Sequence, residues 1–163
     1  MKSLVAYYSL TGKTKLVAQA IAETLDATLL EITETKPRRP GFGVYLTGGF
    51  AALTNRGSEI SPSDIDLKQY DTIFLGCPVW SFRPAPAINS FIYQTDFEGR
   101  RVVPFVTMGG SDARKALDNM TAKIERRNGK VAGSFALTSG KSSDEDLIAR
   151  AREAASEYSV QTP

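Results

Sequence analysis

The chain of 163 residues has no histidine and a single cysteine, Cys77. Without imidazole there is no His-dependent triad or dyad, and one thiol with no histidine leaves no ligand set for a zinc site. A lone cysteine also excludes an internal disulfide. No metal is expected. No apolar run approaches the ~20 residues needed to cross a bilayer, and the N-terminus enters a strand-like run after Lys2 without the charged and apolar regions of a secretion signal. Charge bias is small as well. Lys and Arg number 20 against 18 Asp and Glu, a net charge of +2, and the basic residues fall in scattered pairs ("PRRP", "GRRV", "ERRN") rather than one run. These absences predict a soluble cytoplasmic protein with neither nucleic acid nor membrane as a partner.

What is present is a length suited to one domain over residues 1–163 and enough apolar residues, 42%, to bury a sizeable core. Short apolar runs alternate with helix-period stretches, the pattern of a parallel sheet covered by helices. The runs at 3–9, 27–33, 71–77, 102–108 and 131–138 predict five strands. Helices are expected near 13–25, 84–93, 112–127 and 143–157, the last opening with "SSDEDL", a hydroxyl cap followed by acids in the first turn. The connection between the second and third strands, within residues 34–71, is unusually long and holds Pro37, Pro40, Pro62 and five glycines. A helix around 44–55 is expected in it, and a role at a ligand edge or a dimer contact.

Ligands of open α/β sheets bind beyond the carboxyl ends of the strands, where the strand order reverses. Three chemically unusual loops are expected to meet there. The first, "SLTGKT", supplies hydroxyls at Ser9, Thr11 and Thr14, flexible backbone at Gly12 and the free amides of a helix start, which together favour an anion. A nucleotide-triphosphate loop would need glycine where Tyr7 stands, and a dinucleotide turn would need more glycines than Gly12. A single phosphate monoester is the better guest; the plain alternative is that Thr11 only caps the helix. In the second loop, "CPVWSFRP", the only tryptophan, Trp80, sits beside Phe82, which suits a flat conjugated ligand or, equally, the edge of the core. The third, "TMGGSD", places Gly109 and Gly110 before Ser111 or Asp112 as a helix cap.

With these loops in view the chain resembles the flavodoxin family along nearly its whole length. "YYSLTGKTKLVAQAIAE" is similar to the signature whose loop, [ST]-x-T-G-x-[ST], binds the phosphate of FMN; Ser9, Thr11, Gly12 and Thr14 match it. "YDTIFLGCPVWSFRPAPAINSFI" and "VTMGGSD" are similar to the two flavin-contacting regions. The resemblance implies a flavodoxin-like three-layer α/β sandwich, with a five-stranded parallel sheet in the order 2-1-3-4-5 and helices on both faces. It also implies noncovalent FMN as cofactor. Ser9, Leu10, Thr11, Gly12, Lys13 and Thr14 would surround the phosphate; Pro78, Val79, Trp80, Ser81 and Phe82 would line one side of the isoalloxazine, and Met108, Gly109 and Gly110 the other.

The implied function is low-molecular-weight electron transfer to a redox partner protein, as a monomer or homodimer. The alternative is an NAD(P)H-dependent FMN reductase that passes electrons to quinones or other small acceptors. The departures from simple carriers are the net charge of +2 in place of an acidic surface, Arg83 beside the flavin loop, and no tyrosine in "TMGGSD" to cover the ring. The Trp80 loop also lacks the glycine that permits a backbone flip toward the flavin. Two readings from other classes remain. Cys77 and Arg83 have the Cys-x5-Arg spacing of thiolate phosphatases, although Pro78 removes an amide from such a loop and bulky residues fill it. A cofactor-free scaffold for protein contacts is the other.

Overall fold

The computed structural model describes residues 1–36, 58–63, 65–110 and 112–159. The helix expected at 44–55, most of its long connection, and Ser111 lie outside the described residues. The first strand, β1 (Ser3–Tyr7), is buried at every position and leads into α1 (Lys13–Leu25). There follow β2 (Thr28–Glu31), the two-residue strands β3 (Thr33–Glu34) and β4 (Ile60–Ser61), and β5 (Thr72–Trp80). Next come β6 (Arg83–Pro84), α2 (Pro86–Gln94), β7 (Arg101–Met108) and α3 (Arg114–Arg126). The chain ends in β8 (Lys130–Val131), β9 (Phe135–Thr138) and α4 (Asp144–Ser159).

β2, β1, β5 and β7 pair in parallel in that order, and β8 and β9 both pair with β7 on its far side. Counting β8 and β9 as one interrupted strand, this is the expected 2-1-3-4-5 sheet. Within the interruption Gly133 sits at φ +147°, and a Cβ there would lie 2.5 Å from the Tyr158 hydroxyl of α4, so glycine is required where the chain leaves the ladder. Two short antiparallel pairs were not expected: β3 with β4, and β5 with β6.

Side chains of alternating strand residues fill two separate cores, as the two-residue period requires. Val5, Tyr7, Phe74 and Phe105 pack with Val17 and Ile21 of α1 and with Leu147, Ala151 and Ala155 of α4. Leu4, Ala6, Ile73, Leu75 and Val106 pack with Ile88 and Phe91 of α2 and with Met120 and Ile124 of α3. The sheet is thus covered on both faces. Gly76 is required in β5 because the Phe105 ring lies where its Cβ would be. At α4, Ser143 Oγ accepts the Asp146 amide at 3.1 Å and Asp144, Glu145 and Asp146 fill the first turn, the expected cap.

Candidate functional site

The carboxyl ends of β1, β5 and β7 lie side by side. Their register sets Tyr7 against Gly76, Gly76 against Phe105 and Pro78 against Thr107, so the segments that follow emerge from one edge of the sheet. After β1 the chain turns at Gly12, φ +94° and ψ −12°, a left-handed conformation in which a Cβ would be strained. Gly12 is the N-cap of α1, and no side chain caps this helix. Thr11 is therefore not the cap; Ser9 Oγ instead accepts the Gly12 amide at 3.1 Å and closes the loop. The first intrahelical bond runs from Leu16 N–H to the Gly12 carbonyl at 3.0 Å. The amides of Lys13, Thr14 and Lys15 precede it and, by helix geometry, have no acceptor within the helix. An open loop ending at such a terminus is suited to an oxyanion.

Thr14 is buried, and its hydroxyl lies 2.7 Å from that of Thr107 in β7, also buried. This pair fixes the first turn of α1 to the sheet. One of the two hydroxyls donates to the other. If Thr107 donates, the Thr14 proton is left to donate outward, so Thr107 sets the direction in which Thr14 can serve an anion. Lys13 Nζ donates to Asp144 Oδ1 at 2.6 Å, which joins the first turns of α1 and α4; both groups are solvent-exposed, so the pair adds at most about 1 kcal/mol.

The second segment differs from the expected loop. β5 continues through Pro78 and Val79 to Trp80, and the chain reverses in two residues to pair Val79 with Pro84 and Trp80 with Arg83. Ser81 and Phe82 have φ of +48° and +62°, the pair of positive angles that a tight hairpin turn needs. The left-handed backbone is thus reached here without glycine. Trp80 is 8% exposed and meets the Tyr8 ring edge-on, with centroids 5.9 Å apart. Phe82 is 54% exposed, with Lys115 Nζ 5.5 Å from its ring centre.

Cys77 is fully buried in the core, and burial pushes its thiol up to about 12, against smaller opposing effects of the Ala85 backbone and the Lys123 charge. A thiol held protonated and away from solvent is no nucleophile. Arg83 lies toward α3: burial first, then Arg83 and Arg126, lower the Lys123 ammonium to about 8.

In the third segment Gly109 and Gly110 are exposed and a Cβ at either would meet nothing within 4 Å. Asp112 Oδ1 accepts the Arg114 amide at 3.0 Å at the start of α3. Half-buried Leu10, Val79 and Met108, one from each strand end, pack on the core cluster that contains Trp80 and Tyr8. The edge therefore offers an open helix terminus and, from the three strand ends, half-buried apolar side chains, a combination suited to a phosphate joined to a flat ring.

Three features escaped the sequence reading. Thr107 carried a usable signal, a hydroxyl inside the apolar run "VVPFVTM" two residues before the paired glycines. The second is a buried pair in which Tyr8 OH donates to Glu34 Oε2 at 3.0 Å, next to Trp80; nothing in the local pattern around Glu34 announces it. The third is a further loop, after β9. Ser139 N–H donates to the Met108 carbonyl at 2.8 Å, and a Cβ on Gly140 would lie 2.7 Å from the Gly109 carbonyl oxygen, so this turn packs directly on Gly109. "LTSGKSS" has the glycine and hydroxyls that could have marked it.

Comparison with known proteins agrees with this fold. The flavoprotein from Lactobacillus acidophilus NCFM, whose crystal structure is a complex with FMN, superposes with a TM-score of 0.74 at 26% identity, over 83% of this chain and 92% of that one. A flavodoxin from the domain Archaea gives 0.60 over 98% of this chain and 96% of its own, at 15% identity, which speaks to the fold alone. In sequence, the flavodoxin-like domain-containing protein BilS of Clostridioides difficile strain CD3 is 30% identical over 138 residues. That match covers 83% of this chain and 64% of the relative, so the chain spans somewhat less than two thirds of that protein's length. The model of a flavodoxin family matches residues 52–150, a span that includes β5, α2, β7, α3 and both parts of the last strand. With the parallel order of the sheet and the loops gathered at its edge, the match has one reading: this chain belongs to the flavodoxin family.

Proposed function

We propose that the chain is a single flavodoxin-like domain that binds FMN at the carboxyl edge of β1, β5 and β7 and acts as a small electron-transfer protein. The observation that carries this reading is the start of α1: a helix with no side-chain cap, entered through left-handed Gly12 and ringed by Ser9, Thr11 and Thr14. The residues present fit the cofactor. The free amides and the Thr11 and Thr14 hydroxyls would hold its phosphate, and Lys13 would contribute its amide while its ammonium stays with Asp144. Leu10, Val79 and Met108 would support the ring system, with Pro78, Trp80, Ser81 and Phe82 on one side and Gly109 and Gly110 on the other. When bound, FMN supplies the one- and two-electron chemistry.

The remaining work falls to the chain. The Trp80–Arg83 hairpin shapes one wall and the Gly140 turn backs Gly109 in the other, and the Tyr8–Glu34 bond fixes the ring on which Trp80 rests. The purified protein is expected to take up FMN in a 1:1 ratio, with flavin absorption in the visible, and to be reduced in two separable one-electron steps. A preparation that stays colourless after reconstitution would sink the proposal. A second reading, a reductase that hands electrons to a small acceptor, is favoured by the exposed glycines at 109 and 110, where no side chain of the described residues covers the edge. Rapid oxidation of NAD(P)H with a quinone, without a partner protein, separates it from the carrier.

A further inference from the structure

We infer that the chain has a second ligand site, between α2 and α3, for an oxyanion (a carboxylate or a phosphate) carried on an apolar body. The cavity there is about 520 Å³ and is lined by Asn89, Ile92 and Tyr93 of α2 and by Lys123, Arg126 and Arg127 at the end of α3. Among the described residues the lining, which also includes Ser90 and Gln94, holds no acid. Arg127 is engaged, its Nε donating to the Thr95 carbonyl at 2.9 Å, whereas Arg126 is exposed and makes no ion pair among the described residues.

Asn89 adds an independent observation. It is 95% buried, and Lys123 Nζ donates to its Oδ1 at 2.7 Å, which assigns the amide orientation because an ammonium can only donate. The buried Nδ2 then has no acceptor among the described residues. A buried donor left unmatched is costly, and a ligand oxygen would satisfy it. The charges at this place repel one another. Burial and the nearby Arg83 and Arg126 hold the Lys123 ammonium well below its ordinary range, a penalty that an arriving anion would relieve. Basic residues at a helix end complement its dipole and need no ligand for that; an orphaned buried amide and a cavity are not explained in the same way. The apolar share of the wall, Ile92 and the ring of Tyr93, whose side is 79% exposed, calls for a ligand with a hydrophobic body rather than a bare ion.

The test is a titration of the isotope-labelled full chain with 2-naphthoate, 2-naphthyl phosphate and the neutral 2-naphthamide, read by amide resonances. One or both anions are expected to shift residues 89–94 and 123–127 and to bind at least roughly tenfold more tightly than the amide. The tighter of the two identifies the anion class. Arg126→Gln should weaken that anion roughly tenfold, and Asn89→Asp, which keeps an acceptor for Lys123 but removes the free donor and adds a negative charge, should abolish binding. Resonances of residues 9–14 report separately on the strand-edge site, so this result does not depend on the FMN reading. Equal binding of the neutral amide, shifts confined to the strand edge, no binding at all, or an Arg126→Gln protein that binds unchanged would overturn the inference.

Discussion

Two strand ends of this protein carry an anion-loop signature, and only one of them has the backbone for it. "SLTGKT" after β1 is one glycine short of a nucleotide loop; "CPVWSFR" at the end of β5 keeps the Cys-x5-Arg spacing of a thiolate phosphatase. After β1 the chain opens at Gly12 and delivers an uncapped helix terminus. After β5 it stays in the sheet to Trp80 and folds back in two residues, leaving Cys77 sealed in the core. Both segments have suitable side chains. What separates them is where the amide groups point, and that is a property of the backbone path.

The sharpest way to break this contrast is to remove the hydroxyls of the first segment. Thr11→Ala with Thr14→Ala deletes two charge-assisted hydrogen bonds at about 1.5–3 kcal/mol each, so FMN affinity should fall by roughly a hundredfold or more. Riboflavin, which lacks the phosphate, should lose little. Fluorescence titration with both flavins checks this, and equal losses would reduce the loop to a turn. Thr107→Val is the next step down. It keeps shape but leaves Thr14 without its 2.7 Å partner, and about a tenfold loss for FMN is expected, again with riboflavin spared. A loss common to both flavins would mean that Thr107 merely holds α1 on the sheet.

The second segment can be pushed the other way. Phe82 holds φ +62° while 54% exposed, so Phe82→Gly relieves a left-handed strain and forfeits little buried area. The variant should gain about 1 kcal/mol in urea unfolding and lose a few-fold in FMN affinity, because one wall of the site goes. Stability lost in place of gained would show that the Lys115 contact outweighs the strain.

The same contrast explains what could be read from the chain. The alternation of apolar runs with helix-period stretches gave the layers and every helix among the described residues to within a few positions, because short apolar runs alternating with amphipathic stretches mark a sheet covered by helices. The turn in "SLTGKT" was legible because a glycine among hydroxyls after an apolar run marks a strand-to-helix junction. The hairpin at Ser81–Phe82 was not, since neither residue announces positive φ and only the pairing of Trp80 with Arg83 imposes it. The break in the last strand was hidden for a similar reason: Gly133 is visible, but the Tyr158 hydroxyl that makes its glycine necessary comes from α4. Thr14 with Thr107 and Tyr8 with Glu34 are likewise contacts between distant parts of the sequence, which no local pattern encodes.

The smallest effect concerns Cys77 and is seen best in alkali. Its thiol is held protonated to about 12 in the folded state against 9.0 for an ordinary thiol, so above pH 9 the unfolded chain releases its proton first. The folded state then binds more protons than the unfolded one, and the thiol's contribution is present in full below pH 9 and lost as pH rises toward 12. Lys123 acts in the opposite sense: it is lowered from 10.5 to about 8, and its contribution to stability grows with pH across that interval. Both proteins in a comparison of wild type with Cys77→Ala keep Lys123, and because it is coupled to the thiol its effect cancels in the difference only in part. The variant should be less stable by about 1 kcal/mol at neutral pH, where a small core side chain has been trimmed. Its deficit should shrink as urea midpoints are measured from pH 8 to pH 10, with FMN affinity unchanged throughout. A deficit that stays constant with pH would show that the thiol ionises in the folded protein as it does in the unfolded one, and the sealed strand end would then be open after all.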